Sequence, residues 1–249
     1  MCDLPHERAS LMHSRWKGWL DVPPPQASGH GAWTDLTHVM TEDLSRATAF
    51  PKPVIRQIAT IPDFPVNITE LHMVAHHGTH VDAPRHFISD GPAMEQIPLE
   101  RMYGPAVVWR IEKGDLGVID AADLEAASPK VQRGDMVLLD TGWAQYVNTP
   151  RYEDHPSLTE AAARWLVAQG VKLLGVDSST PDLTAHMRPE GFDWPVHQVL
   201  LSNGVLIAEH VMNLRGLANT RVEAMFLTLP IQGSDGSPVR AVARPLAAP

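Results

Sequence analysis

One short segment limits the fold of this chain more than any other. Residues 75–86 run Ala75, His76, His77, Gly78, Thr79, His80, Val81, Asp82, Ala83, Pro84, Arg85, His86. Five of the 13 histidines fall between His72 and His86. On a helix, His76 and His80 would share a face, one turn apart. Asp82 would then point roughly 200° away from His80, at about 100° per residue, and could not join them. Gly78, Thr79 and Pro84 also disfavour a helix. In an extended chain, side chains two apart share a face. His76, Gly78, His80 and Asp82 then align, the glycine leaves room between them, and His77 points to the other side. The segment is therefore expected to be a strand and the loop leaving it.

Two neutral imidazoles and a carboxylate suit a first-row divalent metal and leave positions open for water. His72 and His77 read as structural. His86 lies beyond Pro84, where the chain should turn, and is either a further ligand or a base with a pKa near neutrality. The single cysteine, Cys2, excludes an intramolecular disulfide and a cysteine zinc ribbon. The donors must then be nitrogen and oxygen, which admit zinc, manganese, iron or cobalt. Neither a G-x-S-x-G elbow nor a G-x-x-x-x-G-K-[ST] loop occurs.

The formal charge of −9 argues against non-specific nucleic-acid binding, which needs clustered Lys and Arg, and against an anionic membrane surface. No apolar run reaches the roughly 18 residues of a membrane span. The first residues carry charges and prolines where a signal peptide needs an apolar core. The expectation is a soluble, cytoplasmic protein acting on a small molecule, with no nucleic-acid or membrane partner.

The length suits one domain, at most two. With 22 prolines against a usual ~5 %, rigid turns should be many and long helices few. Residues 1–30 read as an arm ending in a stiff linker at Pro23, Pro24 and Pro25. Leu11, Trp16, Trp19 and Leu20 could form a short helix there. It would either meet a second subunit, in a homodimer or higher homo-oligomer, or fold back on its own domain. Residues 31–249 form the main domain. Residues 54–61 and 66–75 are β-branched and read as strands. Strands are also expected at 106–111, 136–139, 171–176, 204–208 and 224–229. Residues 119–127 look helical, capped by Asp120. Residues 158–170 form the clearest helix, capped by Thr159 and closed by Gly170. The sum is α/β with more strand than helix.

The run from His76 to His86 also matches the signature H-x-G-T-H-x-D-A-P-x-H. By it the chain resembles the cyclase-like metal-dependent hydrolases, which include bacterial kynurenine formamidase and isatin hydrolase. Asp35 to His38, Thr141 to Trp143, Gly175 to Asp177, Asn213-Leu214 and Gly236 to Arg240 follow in the family's order. The resemblance covers residues 33–243. It implies a single-domain fold of the swivelling β/α type, with strand-rich mixed sheets and a few helices. It implies that His76, His80 and Asp82 are metal ligands and that His197 and Glu209 complete a site for one or two ions, zinc or manganese, bridged by Asp82. His86 resembles the general base. The implied activity is hydrolysis of the C–N bond of a small aryl or cyclic amide by a metal-activated water. The alternatives are a lyase or cyclase polarising a carbonyl, and a metal- or ligand-binding protein without turnover. The family commonly has Asn after the ligand Glu. Here His210 stands there, and could be an additional active-site group. Thr141, Trp143, Asp177, Ser237 and the Asp235-Gly236 turn read as structural.

Overall fold

The computed structural model describes residues 17–23 and 32–246. A central sheet is built from nine strands: Thr34–Asp35 (β1), His80–Asp82 (β4), Tyr103–Arg110 (β5), Met136–Asp140 (β7), Leu173–Val176 (β9), Leu206–Glu209 (β10), Thr220–Met225 (β11), Gly236–Pro238 (β12) and Val242–Pro245 (β13). Their spatial order is β1-β13-β11-β5-β7-β9-β10-β4-β12. The middle four, β5, β7, β9 and β10, are parallel, and the flanking strands are antiparallel. Val54–Ala59 (β2) and Ile68–His72 (β3) form a separate hairpin, while Val118–Ile119 (β6) and Ser157–Leu158 (β8) form a short ribbon.

The parallel strands are buried on both sides and read as continuous apolar runs, as parallel strands do. Ala106, Val108, Met136, Leu138, Leu173 and Leu206 face one core. Their neighbours Val107, Trp109, Val137, Leu139, Leu174 and Ile207 face the other. Three helices cover that second face: Ala121–Ala126 (α1), Glu160–Gln169 (α2) and Pro195–Ser202 (α3).

The two expected helices are present with their expected caps. Asp120 accepts from the backbone of Ala121, and Thr159 accepts from Ala162. Gly170 closes α2 at φ +74°, a left-handed conformation that suits glycine. The third helix, α3, has no counterpart among the expected elements. It is eight residues long and starts at Pro195, with Trp194 as its cap; proline suits a first helical position.

Two expectations on the chain's course are corrected. Residues 17–20 have no helical structure, and Gly18 sits at φ +83°. This stretch instead lies against the domain: Lys17 N donates to Ser202 O, and Trp19 and Leu20 pack on the two cores. Leu11, Trp16 and the proline pair Pro24-Pro25 lie outside the described residues. The second correction concerns residues 76–82. Only His80–Asp82 is strand. Gly78 takes φ +68°, so the chain turns there and alternation does not extend back to His76.

Candidate functional site

The site lies on the helix-covered face of the sheet, where β4 joins β10 and β12. Within β4, His80 and Asp82 point to that face because they are two apart, while Val81 enters the opposite core. Antiparallel pairing sets Glu209 directly across from His80. The third contribution comes from α3. Asp182 accepts from the backbone N–H groups of Val196 and His197, each at 3.0 Å. Both are first-turn donors that the helix itself cannot satisfy. The same carboxylate takes His197 Nδ1–H at 2.6 Å, which turns the ring's Nε2 toward the strands.

His80 Nε2 is 3.3 Å from Asp82 Oδ1 and 3.4 Å from Glu209 Oε2. His197 Nε2 is 3.5 Å from Asp82 Oδ2 and 3.3 Å from Glu209 Oε1. All four side chains are buried. Despite this crowding, His80 Nε2 and Asp82 Oδ2 have no hydrogen-bond partner. Buried polar atoms are rarely left so. His80 Nδ1 is 2.8 Å from Gly78 O and donates its hydrogen there, so its Nε2 lone pair, like that of His197, is directed among the carboxylates. Hydrogen-bonded Nδ1 with a free Nε2 is the arrangement of a metal-ligating histidine.

His76 arrives from the turn rather than the strand. Its Nδ1 is 2.8 Å from Asp82 Oδ1 and its Nε2 is 2.9 Å from Asp235 Oδ2. To bind an ion it must release one of these contacts. The ring lies on Gly236, where a Cβ would come within 2.6 Å of His76 Cε1. His86 ends the short helical turn Pro84–His86. Its Nδ1 is 3.1 Å from Asp235 Oδ2, and its ring stacks 4.1 Å from that of His76. His86 is partly exposed while the other histidines of the cluster are buried, so the site opens on its side.

Electrostatics agree with the geometry. Burial opposes the charged form of His76, but the hydrogen bonds to Asp235 and Asp82 outweigh it and raise the pKa to about 9. Burial likewise opposes charge on His80, and Asp82 and Glu209 raise it to about 10. His197 is also raised, against its burial, by Asp182, Asp82 and Glu209. Burial and the Asp82 charge act to raise Glu209, yet His197 and His80 draw it down to about 2. The cluster therefore demands positive charge, which protons or a cation can supply. The residues form three donor sets: His76, His80 and Asp82, and Asp82, His197 and Glu209, which share Asp82, and the more open set His76, His86 and Asp235. Orphaned buried donors, oriented imidazoles and two carboxylates together fit a divalent cation.

His77 bonds Thr41 O at 2.9 Å, and His72 is exposed on β3. Thr141 Oγ1 and Trp143 N donate to Asp177, whose pKa burial raises to about 6. His210 sits beside the cluster, 6.0 Å between ring centres from His80, with Nδ1 2.9 Å from the Tyr152 hydroxyl. Burial lowers its pKa to about 3, so the ring is neutral. Three site residues escaped sequence reasoning: Asp182, Asp235 and Phe87. Asp235 sat in what reads as a turn dipeptide, and Asp182 lies 15 residues from His197 with no motif connecting them.

A family model described as a putative cyclase matches residues 34–183. The chain belongs to the cyclase family. Among curated members, the kynurenine formamidase of Bordetella petrii is 30% identical over 190 residues, covering 74% of this chain and 84% of the relative. That of Salinibacter ruber is 32% identical over 191 residues, covering 72% and 80%. Isatin hydrolase A from Labrenzia aggregata shares the fold, with a TM-score of 0.79 at 23% identity over 87% of this chain and 94% of that one. The isatin hydrolase A of Ralstonia solanacearum gives 0.77 at 22%, over 85% and 91%. Within this cyclase-family chain, the matched region contains His76, His80, Asp82 and His86. Among the described residues, no helix is long and apolar enough to cross a membrane.

Proposed function

We propose that this cyclase-family chain is a metal-dependent hydrolase of the C–N bond in a small aryl or cyclic amide, of the formamide or lactam type. Residues 31–249 carry the hydrolase domain, preceded by the arm. His80, Asp82, His197 and Glu209, with His76, hold one or two divalent ions, zinc or manganese. One observation carries the reading: His80 Nε2 and His197 Nε2 converge on Asp82 and Glu209 at 3.3–3.5 Å, and His80 Nε2 has no hydrogen-bond partner. The kynurenine formamidase and isatin hydrolase relatives support the amide substrate.

When bound, such an ion lowers the pKa of water and polarises a carbonyl. The chain's own residues do the rest. Asp235 holds His86 through Nδ1 at 3.1 Å and so leaves Nε2 as the proton acceptor. His86 takes a proton as water adds to the carbonyl carbon and returns it to the departing nitrogen, so that amide and water yield an acid and an amine. Phe50, 6.1 Å from His76, and Phe87, 4.7 Å from His86 and 4.6 Å from His197, flank the open side. These rings offer apolar walls for an aryl group.

Elemental analysis of protein purified without added metal, with a panel of aryl formamides, lactams and lactones in ¹⁸O-labelled water, tests the reading. Bound metal and label in the carboxyl product are expected. Turnover without label would indicate a lyase or cyclase. Saturable metal binding without turnover would indicate a binding protein.

A further inference from the structure

The open donor set stands apart from the buried centre. His76 Nε2, His86 Nδ1 and an oxygen of Asp235 lie within 4.8 Å of one another. Both imidazoles meet the same atom, Asp235 Oδ2, at 2.9 and 3.1 Å. Their rings are stacked, with centres 4.1 Å apart and planes 30° from parallel, so the two nitrogens reach that oxygen side by side. Ligand bonds of about 2.1 Å place neighbouring donors about 3.0 Å apart in an octahedral shell, which is the spacing each nitrogen keeps from the oxygen. The backbone holds the three together. Asp235 O accepts from Ala83 N, and Ala83 O accepts from His86 N, each at 2.9 Å. Ser234 Oγ closes the turn by donating to Gly236 O at 2.7 Å. Side-chain exposure of 24% at His86 and 46% at Asp235, against 1% at Asp82, lets an ion enter here with water completing its shell.

Two hydrogen bonds to Asp235 fit the same distances, and the tautomer of His76 decides when a cation replaces them. The ring faces a carboxylate at each nitrogen, Asp82 at Nδ1 and Asp235 at Nε2. A neutral imidazole carries one hydrogen, so one lone pair always stands against a carboxylate. A cation can relieve that repulsion at either end. At Nδ1 it belongs to the buried centre, and at Nε2 to the open set. An ion in the open set withdraws His76 from the centre, which keeps His80, Asp82, His197 and Glu209. At His86 the consequence is sharper. A lone pair given to an ion from Nδ1 leaves the ring's hydrogen on Nε2. The nitrogen assigned to accept a proton from water then becomes a donor.

We propose that His76 Nε2, His86 Nδ1 and Asp235 form a further, inhibitory site for a divalent cation at the mouth of the centre. With three ligands, two of them partly exposed, it holds its ion less tightly than the buried centre. Protein purified without added metal then carries ions in the buried centre alone, and excess metal fills the mouth and disables His86. The site stands on its own geometry; its effect on turnover rests on the hydrolase reading above.

The test uses zinc as the probe on wild type, His86→Ala and Asp235→Ala, each first loaded with its tightly held metal. Equilibrium dialysis against rising free zinc, read by elemental analysis, counts the ions per chain. Wild type should take up one weakly held ion more than either variant, while the tightly held content stays equal in all three. Crystals of wild type soaked in excess zinc should show an anomalous peak among His76, His86 and Asp235. Hydrolysis of an aryl formamide by wild type should fall as free zinc rises and return on partial chelation. Asp235→Ala, measured against its own lower starting rate, should need at least about 10-fold more zinc for the same fractional loss, the scale on which ligand-site changes alter metal affinity. Equal zinc uptake by wild type and both variants, or no peak at the three residues, would overturn the proposal. Loss of the tightly held metal in both variants would overturn the separation of the two sites. Undiminished turnover by wild type at zinc levels that fill the extra site would overturn the inhibition. Failure of wild type to hydrolyse any amide would refute the hydrolase reading instead, and dialysis and the anomalous peak would still decide the site.

Discussion

Asp182 provides the sharpest test of how the site is held. It is buried, and its two oxygens accept three N–H groups: Val196 N at Oδ1, and His197 N and Nδ1 at Oδ2. Asp182→Asn keeps the shape but replaces one oxygen with an NH₂ donor. With the amide nitrogen toward Val196, two donors face each other at the start of α3. In the opposite orientation it faces His197 N–H and Nδ1. The imidazole must then shift its hydrogen to Nε2, which removes the lone pair aimed at Asp82 and Glu209. Either orientation loses at least one charge-assisted bond and leaves a buried donor opposed, a cost of about 3 kcal/mol. For a chain of this length that corresponds to a fall of roughly 6–12 °C in Tm. Loss of the histidine's orientation should weaken metal binding by about 10- to 100-fold. Differential scanning fluorimetry of the metal-free protein reads the first effect, and chelator competition reads the second. A variant with Tm and metal Kd both within error of wild type would refute the reasoning. A fall in Tm alone would limit Asp182 to capping α3.

Four further outcomes are expected. His86→Ala should keep nearly full metal content in elemental analysis while turnover falls by about 100-fold or more, and equal loss of metal would make His86 a ligand. Gly236→Ala should displace the His76 ring, because the new methyl group meets Cε1 at 2.6 Å; reduced metal affinity with a modest change in Tm is expected, and an unchanged Kd would show that the ring moves freely. The pKa values of His76 and His80, raised from 6.5 to about 9 and about 10, give the metal-free protein a stabilisation that is complete below pH 6.5 and lost as pH rises through 9–10. Its Tm should therefore decline over that range. At neutral pH, metal binding should release these protons and weaken as pH falls, which calorimetry in buffers of different ionisation heat measures; binding without proton release would contradict the assigned ligands.

Local chemistry determined much of this protein. The caps at Asp120, Thr159 and Gly170 set α1 and α2, and the apolar runs set the parallel strands, because propensity, capping and burial act within a few residues. The spacing of His80 and Asp82 placed both on one face of β4 for the same reason. His76 reached the cluster by another route. Gly78 at φ +68° turns the chain where strict alternation had been expected, and backbone dihedrals of this kind are not written in a period-two pattern. His197 and Glu209 could be named from the sequence only through likeness to a family, since their neighbours carry no local signal, and for His86 the residues alone left ligand and base both open.

Only the tertiary structure decided how these residues work together. β10 pairing with β4 set Glu209 across from His80. Asp182 oriented His197 while starting a helix that the sequence did not suggest. Asp235, an ordinary turn residue by sequence, joined His76 to His86. The contact of Phe87 with both His86 and His197 likewise exists only in the folded chain. The physical reason is common to all four. Side-chain identity and spacing fix which donors are available, but distances of about 3 Å between residues far apart in sequence depend on strand register and helix placement, which the whole core selects together.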